Sequence, residues 1–381
     1  MLSRQQVIAK NSLTCSPPRT LARRAPSPLS TVAEITASNR YDHRNQIPSN
    51  PFKTLARSAF QSLHFPHPSP LGPSTVRFGP PLPMYNSSMP IRMIAMDLDG
   101  TLLDSASQVS EANRQAVAEA AARGIEIVLV TGRRFDFARP IAEKLSTDLH
   151  LISSNGAVIK SLDGRTLHKS TIPAHTALAA LEGTLPFREF TAVIFDRPRE
   201  RQVVMERINW DDPLRGSYFR KSREFMAEIR PLENCLNGRH SGGAPVEDPI
   251  QVAFSGSIRD MRSVYSLLKS LPQSPHFTLA MTEYEKRDLS ILDVLGPGVT
   301  KAVGLAEWAH RRGIAREEIM AIGDNFNDAE MLEFSGFPVV MGNSVPELKS
   351  RGWAVTLTND EDGVADAIRR HAFREQEVPK L

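Results

Sequence analysis

The sequence predicts an α/β fold: a Rossmann-like, doubly wound parallel sheet core with an inserted α/β domain that would cap it. Short apolar strands alternate with helical patterns over residues 91–172 and again over 289–381. This alternation is typical of βαβ units in a parallel sheet. Residues 173–288 interrupt it with an Arg- and Pro-rich segment, which indicates the inserted domain.

The first 90 residues are predicted to be a disordered leader. Residues 1–92 hold 14 of the 28 prolines and only two acids, Glu34 and Asp42, and they show no sustained apolar period. An Arg- and Ser-rich, acid-poor segment also resembles an organellar transit peptide. Alternatively, translation begins downstream, near Met84, Met89 or Met93. We expect a cytoplasmic protein, with organellar targeting left open.

Composition excludes several classes of protein. The basic residues of the leader conceal a body that carries more acids than bases, so nothing favours a nucleic-acid partner. The two cysteines, Cys15 and Cys235, rule out a disulfide scaffold and a cysteine zinc site. No apolar stretch reaches the length of a membrane span. No obligate protein partner is implied.

The elements of the core can be read in chain order. The predicted elements are a strand at 93–96, a helix capped by Ser110 and ended by Gly124, a strand at 125–130, a helix at 136–145, a strand at 149–153 and a hairpin at 154–170. After the insertion, the parallel pattern is expected to resume with a strand at 288–295. A helix at 301–312, a strand at 319–323, a helix at 328–334 and a strand at 337–341 follow.

Two aspartates follow the first strand, in "MIAMDLDGTLLDS". Alternation along a strand would point Asp97 and Asp99 the same way, at the sheet edge where α/β proteins bind ligands. Two such charges favour a hard dication such as Mg²⁺, or a proton retained on Asp99. Alternatively, both residues cap a turn.

A second acidic cluster, "MAIGDNFNDAEML", also follows an apolar strand. Asp324 would leave its strand at the same sheet edge as Asp97, and their convergence without a metal would cost several kcal/mol. Asn327 and Asp328 open the next helix, where Asp328 has the alternative role of an N-cap.

Two further features indicate an anion. Thr131 and Gly132 follow a buried strand and precede a helix, which offers a hydroxyl and free N–H groups, although an ordinary capped turn would look similar. Lys301 stands at a helix start, where the macrodipole disfavours a cation. A bound anion would offset this, whereas a solvated surface lysine is the alternative.

Together these motifs resemble the haloacid dehalogenase superfamily, and within it the Cof-type sugar phosphatases with a class IIB cap. The matching stretches are "DLDGTLL", "VTGR", "SSNGA", "GVTK" and "GDNFND". The family usually has Gly where this chain has Ala302, and often Ala where it has Ser344. The resemblance implies an Mg²⁺-dependent phosphatase acting on small phosphomonoesters through an aspartyl-phosphate.

The resemblance also implies a role for each matching residue. Asp97 would be the nucleophile, and Asp99 the acid and base. Mg²⁺ would be bound by Asp97, the Asp99 carbonyl and Asp324. The implied phosphate ligands are Thr131, Gly132, Lys301 and Asn327, while Asp328 would steady Lys301 or the waters of the metal.

The inserted domain would cover the site and select the leaving group, with Arg239, His240 and the "SGGAP" loop as candidate contacts. Two alternatives remain. One is a phosphomannomutase-like or trehalose- or sucrose-phosphate phosphatase-like enzyme on the same fold. The other is a non-catalytic regulatory protein, which the loss of a motif residue would favour.

Overall fold

The computed structural model describes residues 89–237 and 247–373. Nearly all of the predicted leader, and the candidate contacts Arg239, His240 and "SGGAP", lie outside these residues. The strands, β1 to β14 in chain order, are Met93–Met96, Glu126–Val130, His150–Ser153, Val158–Ser161, Thr166–Lys169, Thr191–Ile194, Val203–Met205, Met226–Glu228, Gln251–Gly256, Thr278–Tyr284, Leu289–Leu295, Ile319–Gly323, Phe337–Val340 and Ala354–Val355.

The helices of the described residues connect these strands. In chain order, α1 to α9 are Glu111–Ala122, Phe135–Ala142, Ala174–Gly183, Gly216–Lys221, Ile258–Ser270, Lys301–Arg312, Ala329–Phe334, Pro346–Lys349 and Gly363–Ala367, and a π-helix follows at Ile368–Ala372. Ser110 caps α1 as predicted, because its side chain accepts a hydrogen bond from the Asn113 N–H. None of the helices within the described ranges is long and apolar enough to cross a membrane.

An eight-stranded sheet in the order β14-β13-β12-β1-β2-β3-β4-β5 forms the core. It is parallel from β14 to β3, and the predicted hairpin adds β4 and β5 antiparallel at one edge. In β1, Ile94 and Met96 pack in one apolar cluster with α1 and α2, whereas Met93 and Ala95 pack in another with α6 and α7. Helices therefore cover both faces, which confirms the doubly wound fold.

A second, six-stranded sheet in the order β10-β11-β9-β6-β7-β8 forms the inserted domain. Helices α3 and α5 cover one face, where Val252, Phe254, Leu292 and Val294 are fully buried. Below we call this domain the cap.

The strand at 289–295 lies in a different sheet from the one predicted. The prediction that the core pattern resumes there is wrong, because β11 pairs antiparallel with β10 and β9 of the cap sheet. The turn Glu285–Arg287 and Asp288, at φ +42°, reverse the chain so that β11 returns beside β10. An apolar run suits a central strand in either sheet, so hydrophobicity alone did not identify its partner.

We therefore propose that the chain crosses from core to cap near residues 170–173 and returns near 296–300. The two crossings lie side by side: a Cβ on Gly296 would be 2.7 Å from the Thr171 carbonyl oxygen. One apolar cluster also joins Ala157 and Val158 of the core to Ile194 and Leu295 of the cap.

Candidate active site

Three carboxylates meet where β1 and β12 end. Asp97 directly follows β1, Asp324 directly follows β12, and Asp328 closes the next turn. Each offers an oxygen within 4.8 Å of those of the other two. The convergence of Asp97 and Asp324 predicted from the sequence is therefore present in the structure.

Lys301 lies among these carboxylates. Its Nζ donates to Asp97 Oδ1 at 2.6 Å and to Asp328 Oδ1 at 2.7 Å, and the residue is only 2% exposed. The alternative of a solvated surface lysine is thus wrong. Burial alone would lower the pKa of Lys301, but Asp328 and Asp97 outweigh it and raise that pKa, so the ammonium stays charged.

Asp328 is not the N-cap of α7, although its side chain closes a capping box with Asn325 in the short turn Phe326–Asp328. Its Oδ2 accepts the backbone N–H groups of Asp324 and Asn325, both at 3.1 Å, and its Oδ1 accepts from Lys301. The side chain makes no capping hydrogen bond to α7. Both oxygens thus hold the site together, and the N-cap alternative is excluded by geometry.

Small and hydroxylated residues hold Asp324. Thr101 Oγ1 donates to Asp324 Oδ1 at 2.8 Å, and Ser344 Oγ donates to the Asp324 carbonyl at 2.6 Å. Neighbouring Asn343 donates to the Gly100 carbonyl at 2.8 Å. Ser344, a departure from the usual family pattern, therefore fixes the backbone of a proposed metal ligand.

Asp99 differs from the expectation. Because β1 ends at Met96, Asp97 and Asp99 do not share a strand face, and Asp99 is not in the carboxylate group. Its carboxylate instead forms a bidentate ion pair with Arg133, at 2.7 Å to Nε and 2.5 Å to Nη2. Arg133 was not predicted to be part of the site. The sequence did contain a hint, because a carboxylate such as Asp99 at a sheet edge calls for a nearby cation, and Arg133 follows the next strand.

The predicted phosphate ligands Thr131 and Gly132 follow β2, which ends beside β1 at the same edge of the sheet. Thr131 is buried and follows β2, and its Oγ1 accepts the Arg133 N–H at 3.1 Å. Gly132 packs against Asn155, whose Oδ1 would be 3.0 Å from a Cβ at position 132. Asn327 lies in the turn Phe326–Asp328, half-buried.

Tyr284, at the end of β10, brings the cap to the site. Strand β10 contacts the turn Phe326–Asp328 of the core. Burial raises the pKa of Tyr284 to about 12, and the charges of Asp99 and Asp97 add to the increase. No sequence pattern pointed to this tyrosine, because only the antiparallel pairing of β10 and β11 brings it there.

Lys301 is one cation among three buried carboxyl groups, and two of these hold their protons more tightly than usual. Burial, followed by the neighbouring Asp328 and Asp97 charges, raises the pKa of Asp324 to about 8. Burial likewise raises the pKa of Asp97 to about 7, against the opposing effect of Lys301. One ammonium therefore does not neutralise three carboxylates, so the site has room for further positive charge.

Comparisons with known proteins agree with this geometry. The haloacid dehalogenase-like hydrolase family matches residues 94–368. The phosphatase YwpJ of Bacillus subtilis (strain 168) is 32% identical over 73% of this chain and 99% of its own. The pyridoxal phosphate phosphatase YbhA of Escherichia coli (strain K12) is 26% identical over 74% of this chain and 98% of its own.

A solved structure shows the same fold. A haloacid dehalogenase-like hydrolase from B. subtilis, 28% identical, superposes with a TM-score of 0.61 over 73% of this chain and 99% of its own. The chain belongs to the haloacid dehalogenase-like hydrolase family, which confirms the resemblance seen in its motifs.

Proposed function

We propose that this hydrolase is an Mg²⁺-dependent phosphatase that cleaves small phosphomonoesters, such as sugar phosphates, through an aspartyl-phosphate on Asp97. The observation that carries the proposal is the buried group in which Lys301 lies between Asp97 and Asp328, with Asp324 alongside. The phosphatases among its relatives, YwpJ and YbhA, support the same reaction.

The donor set fits magnesium. Mg²⁺ prefers carboxylate oxygens, and a dication would balance the charge that Lys301 leaves unmatched. Both oxygens of Asp328 are already engaged by Lys301 and by backbone N–H groups. We therefore assign Asp97, Asp324 and the Asp99 carbonyl as ligands. Bound there, Mg²⁺ supplies positive charge beside the transferring phosphoryl group.

The residues of the chain carry out two steps. An oxygen of Asp97 forms a bond to phosphorus while the ester P–O bond breaks. Asp99, which must leave its ion pair with Arg133 and take up a proton before this step, then gives that proton to the leaving alkoxide. Asp99 then takes a proton from water, whose oxygen forms a bond to phosphorus while the Asp97–phosphorus bond breaks. Inorganic phosphate leaves and the Asp97 carboxylate is restored. Lys301, the Thr131 hydroxyl, the Gly132 N–H and Asn327 hold the phosphoryl oxygens.

Asp97→Asn tests the proposal in the full chain. With Mg²⁺ and p-nitrophenyl phosphate, we expect kcat to fall at least about 1,000-fold, because the amide is a far poorer nucleophile. Asp148→Asn is the matched control, since Asp148 is exposed and precedes β3 at the opposite end of the sheet. Wild-type turnover in Asp97→Asn would refute the nucleophile.

A further inference from the structure

The turn Ser154–Gly156 supports the segment proposed to bind phosphate after β2. The Asn155 N–H donates to the Thr131 carbonyl at 3.0 Å, and the Ser154 N–H donates to the Arg133 carbonyl at 2.9 Å. These two bonds hold the backbone on either side of Gly132.

The same turn contacts the helix that carries Lys301. Gly156 lies against the Thr300 carbonyl so closely that a Cβ on Gly156 would be 2.1 Å from that oxygen. Gly304, one turn into α6, packs on Gly156 in return, since its own Cβ would be 2.9 Å from the Gly156 Cα. One short turn therefore contacts both proposed phosphate-binding segments.

The turn is held in an unfavourable conformation. Ser154, Asn155 and Gly156 have φ values of +50°, +53° and +101°. The left-handed region costs most residues other than glycine about 1–2 kcal/mol; Asn tolerates it better, so the cost here falls mainly on Ser154. Such strain persists only where surrounding contacts impose it. The position of this turn therefore depends on the residues that contact it.

One hydrogen bond connects the cap to this turn. Asn155 Nδ2 donates to Asp293 Oδ2 at 2.8 Å, and both residues are only 4% exposed. Asp293 belongs to β11 of the cap sheet. The remaining amide atom, Asn155 Oδ1, faces Gly132 and has no hydrogen-bond partner among the described residues.

We infer that Asn155 and Asp293 are positioning residues through which the docked cap holds the Thr131–Gly132 turn in its phosphate-binding position. The inference rests on the proposed phosphatase function. Neither residue is assigned contact with the leaving group, so their effect is the same for every phosphomonoester. If Asp293 only filled space in the cap, an apolar residue could replace it.

The main test is Asn155→Gly in the full chain, because glycine tolerates the positive φ and removes only the side chain. We expect kcat/KM with Mg²⁺ to fall on the order of 100-fold for both p-nitrophenyl phosphate and glucose 6-phosphate. Inorganic phosphate, measured by calorimetry, should bind correspondingly more weakly. Ser290→Ala is the control, since Ser290 is buried on β11 but lies three residues away, on the opposite face of the strand.

An exchange of the pair provides a second, independent test. Asn155→Asp alone sets two carboxylates against each other and should impair the enzyme. Adding Asp293→Asn restores the hydrogen bond with donor and acceptor reversed. We expect the double variant to recover to within about 10-fold of wild type, as coupled neighbours do. This test also applies if Asn155→Gly does not fold.

The outcomes separate the two proposals. Equal losses on both esters, weaker phosphate binding and recovery by the exchange support positioning. A lowered melting temperature with wild-type kcat/KM would overturn it, and so would a loss confined to one ester. If the wild type hydrolyses neither ester, the proposed function fails. Phosphate binding, which needs no turnover, then decides the positioning role alone.

Discussion

Gly100 allows the carboxylate of Asp324 to approach the loop that carries Asp97 and Asp99. Its φ is +86°, and a Cβ there would lie 2.4 Å from Asp324 Oδ2. Glycine is therefore required at this position for two reasons: the backbone has a positive φ, and a side chain would collide with the Asp324 carboxylate.

Gly100→Ala should therefore damage the site as well as the fold. The matched control is Gly124→Ala, because Gly124 has nearly the same φ, +82°, but nothing within 4 Å of its Cβ position. We expect Gly124→Ala to lose only about 1–2 kcal/mol of stability. Gly100→Ala should also lose most of its Mg²⁺-dependent kcat. Equal kcat in the two variants would contradict the steric argument.

Asp293 gives the stability a measurable pH dependence. Burial raises its pKa to about 7 in the folded protein, against the hydrogen bonds from Gln251 and Asn155. In the unfolded chain this carboxyl loses its proton near its ordinary pKa of 3.8, so the folded protein keeps a proton between these two pH values. Stability therefore falls as pH rises through this window.

Asp293→Asn removes this titration. We expect the melting temperature of the variant, relative to wild type, to increase from about pH 4 to about pH 7 and then to level off. Thermal melts of both proteins across this range measure the difference. A constant difference would show that the carboxyl group of Asp293 does not titrate in the way described.

At the scale of elements, the cap sheet has two unlike faces. On the helix-covered face Val252, Phe254, Leu292 and Val294 are fully buried, although Leu279 and Met281 of β10 are half-buried. On the other face Ala192, Ala253 and Ala280, which pair with one another or with Asp293, are half-buried. Tyr284 ends the strand that carries Ala280. These alanines pack against the apolar cluster that joins the cap to the core, whereas Tyr284 lies near Asp97 and Asp99, where we expect it to contact the leaving group.

Tyr284→Phe tests whether the Tyr284 hydroxyl forms a hydrogen bond to the leaving group. Removing a hydroxyl that bonds to substrate costs about 0.5–1.5 kcal/mol. We expect kcat/KM to fall up to about 10-fold for glucose 6-phosphate and less for p-nitrophenyl phosphate, which has no hydroxyls. Tyr265→Phe is the control, since Tyr265 packs among the cap helices. Equal losses on both esters would contradict a leaving-group contact.

The same scale shows what the sequence could predict. Local patterns were enough for Lys301 at a helix start and for Asp324 after a strand, because both follow from one element and its neighbours. The ion pair of Asp99 with Arg133 was missed because it joins two separate turns, one after β1 and one after β2. The partners of β11 were missed, as was the contact of Asp293 with Asn155, since both depend on pairing between segments distant in sequence.

For the whole molecule, metal and stability are linked. Gathering three carboxylates around one lysine opposes folding, so part of the stability should depend on the cation. Mg²⁺ at 100 times its Kd should stabilise the protein by about 2.7 kcal/mol. Without Mg²⁺ at pH 7, Asp324→Asn should melt higher than wild type. The wild-type carboxyl, whose pKa burial raises to about 8, must take up a proton on folding, whereas the asparagine amide is already neutral.

Thermal melts with and without Mg²⁺ check this prediction. Asp324→Asn should lose most of the Mg²⁺-induced increase in melting temperature, whereas Asp148→Asn, with its exposed side chain, should keep it. An increase of the same size in wild type and Asp324→Asn would place the ion elsewhere.

The adjacent crossings at Thr171 and Gly296 have a consequence for diversification. A chain that leaves and re-enters a scaffold at neighbouring points can have everything between them replaced without moving the scaffold. A replacement domain would need only two chain ends at the spacing of Thr171 and Gly296, and a carboxylate that reaches Asn155. New specificities would then arise by exchange of the cap, while the core residues proposed to transfer the phosphoryl group stay in place.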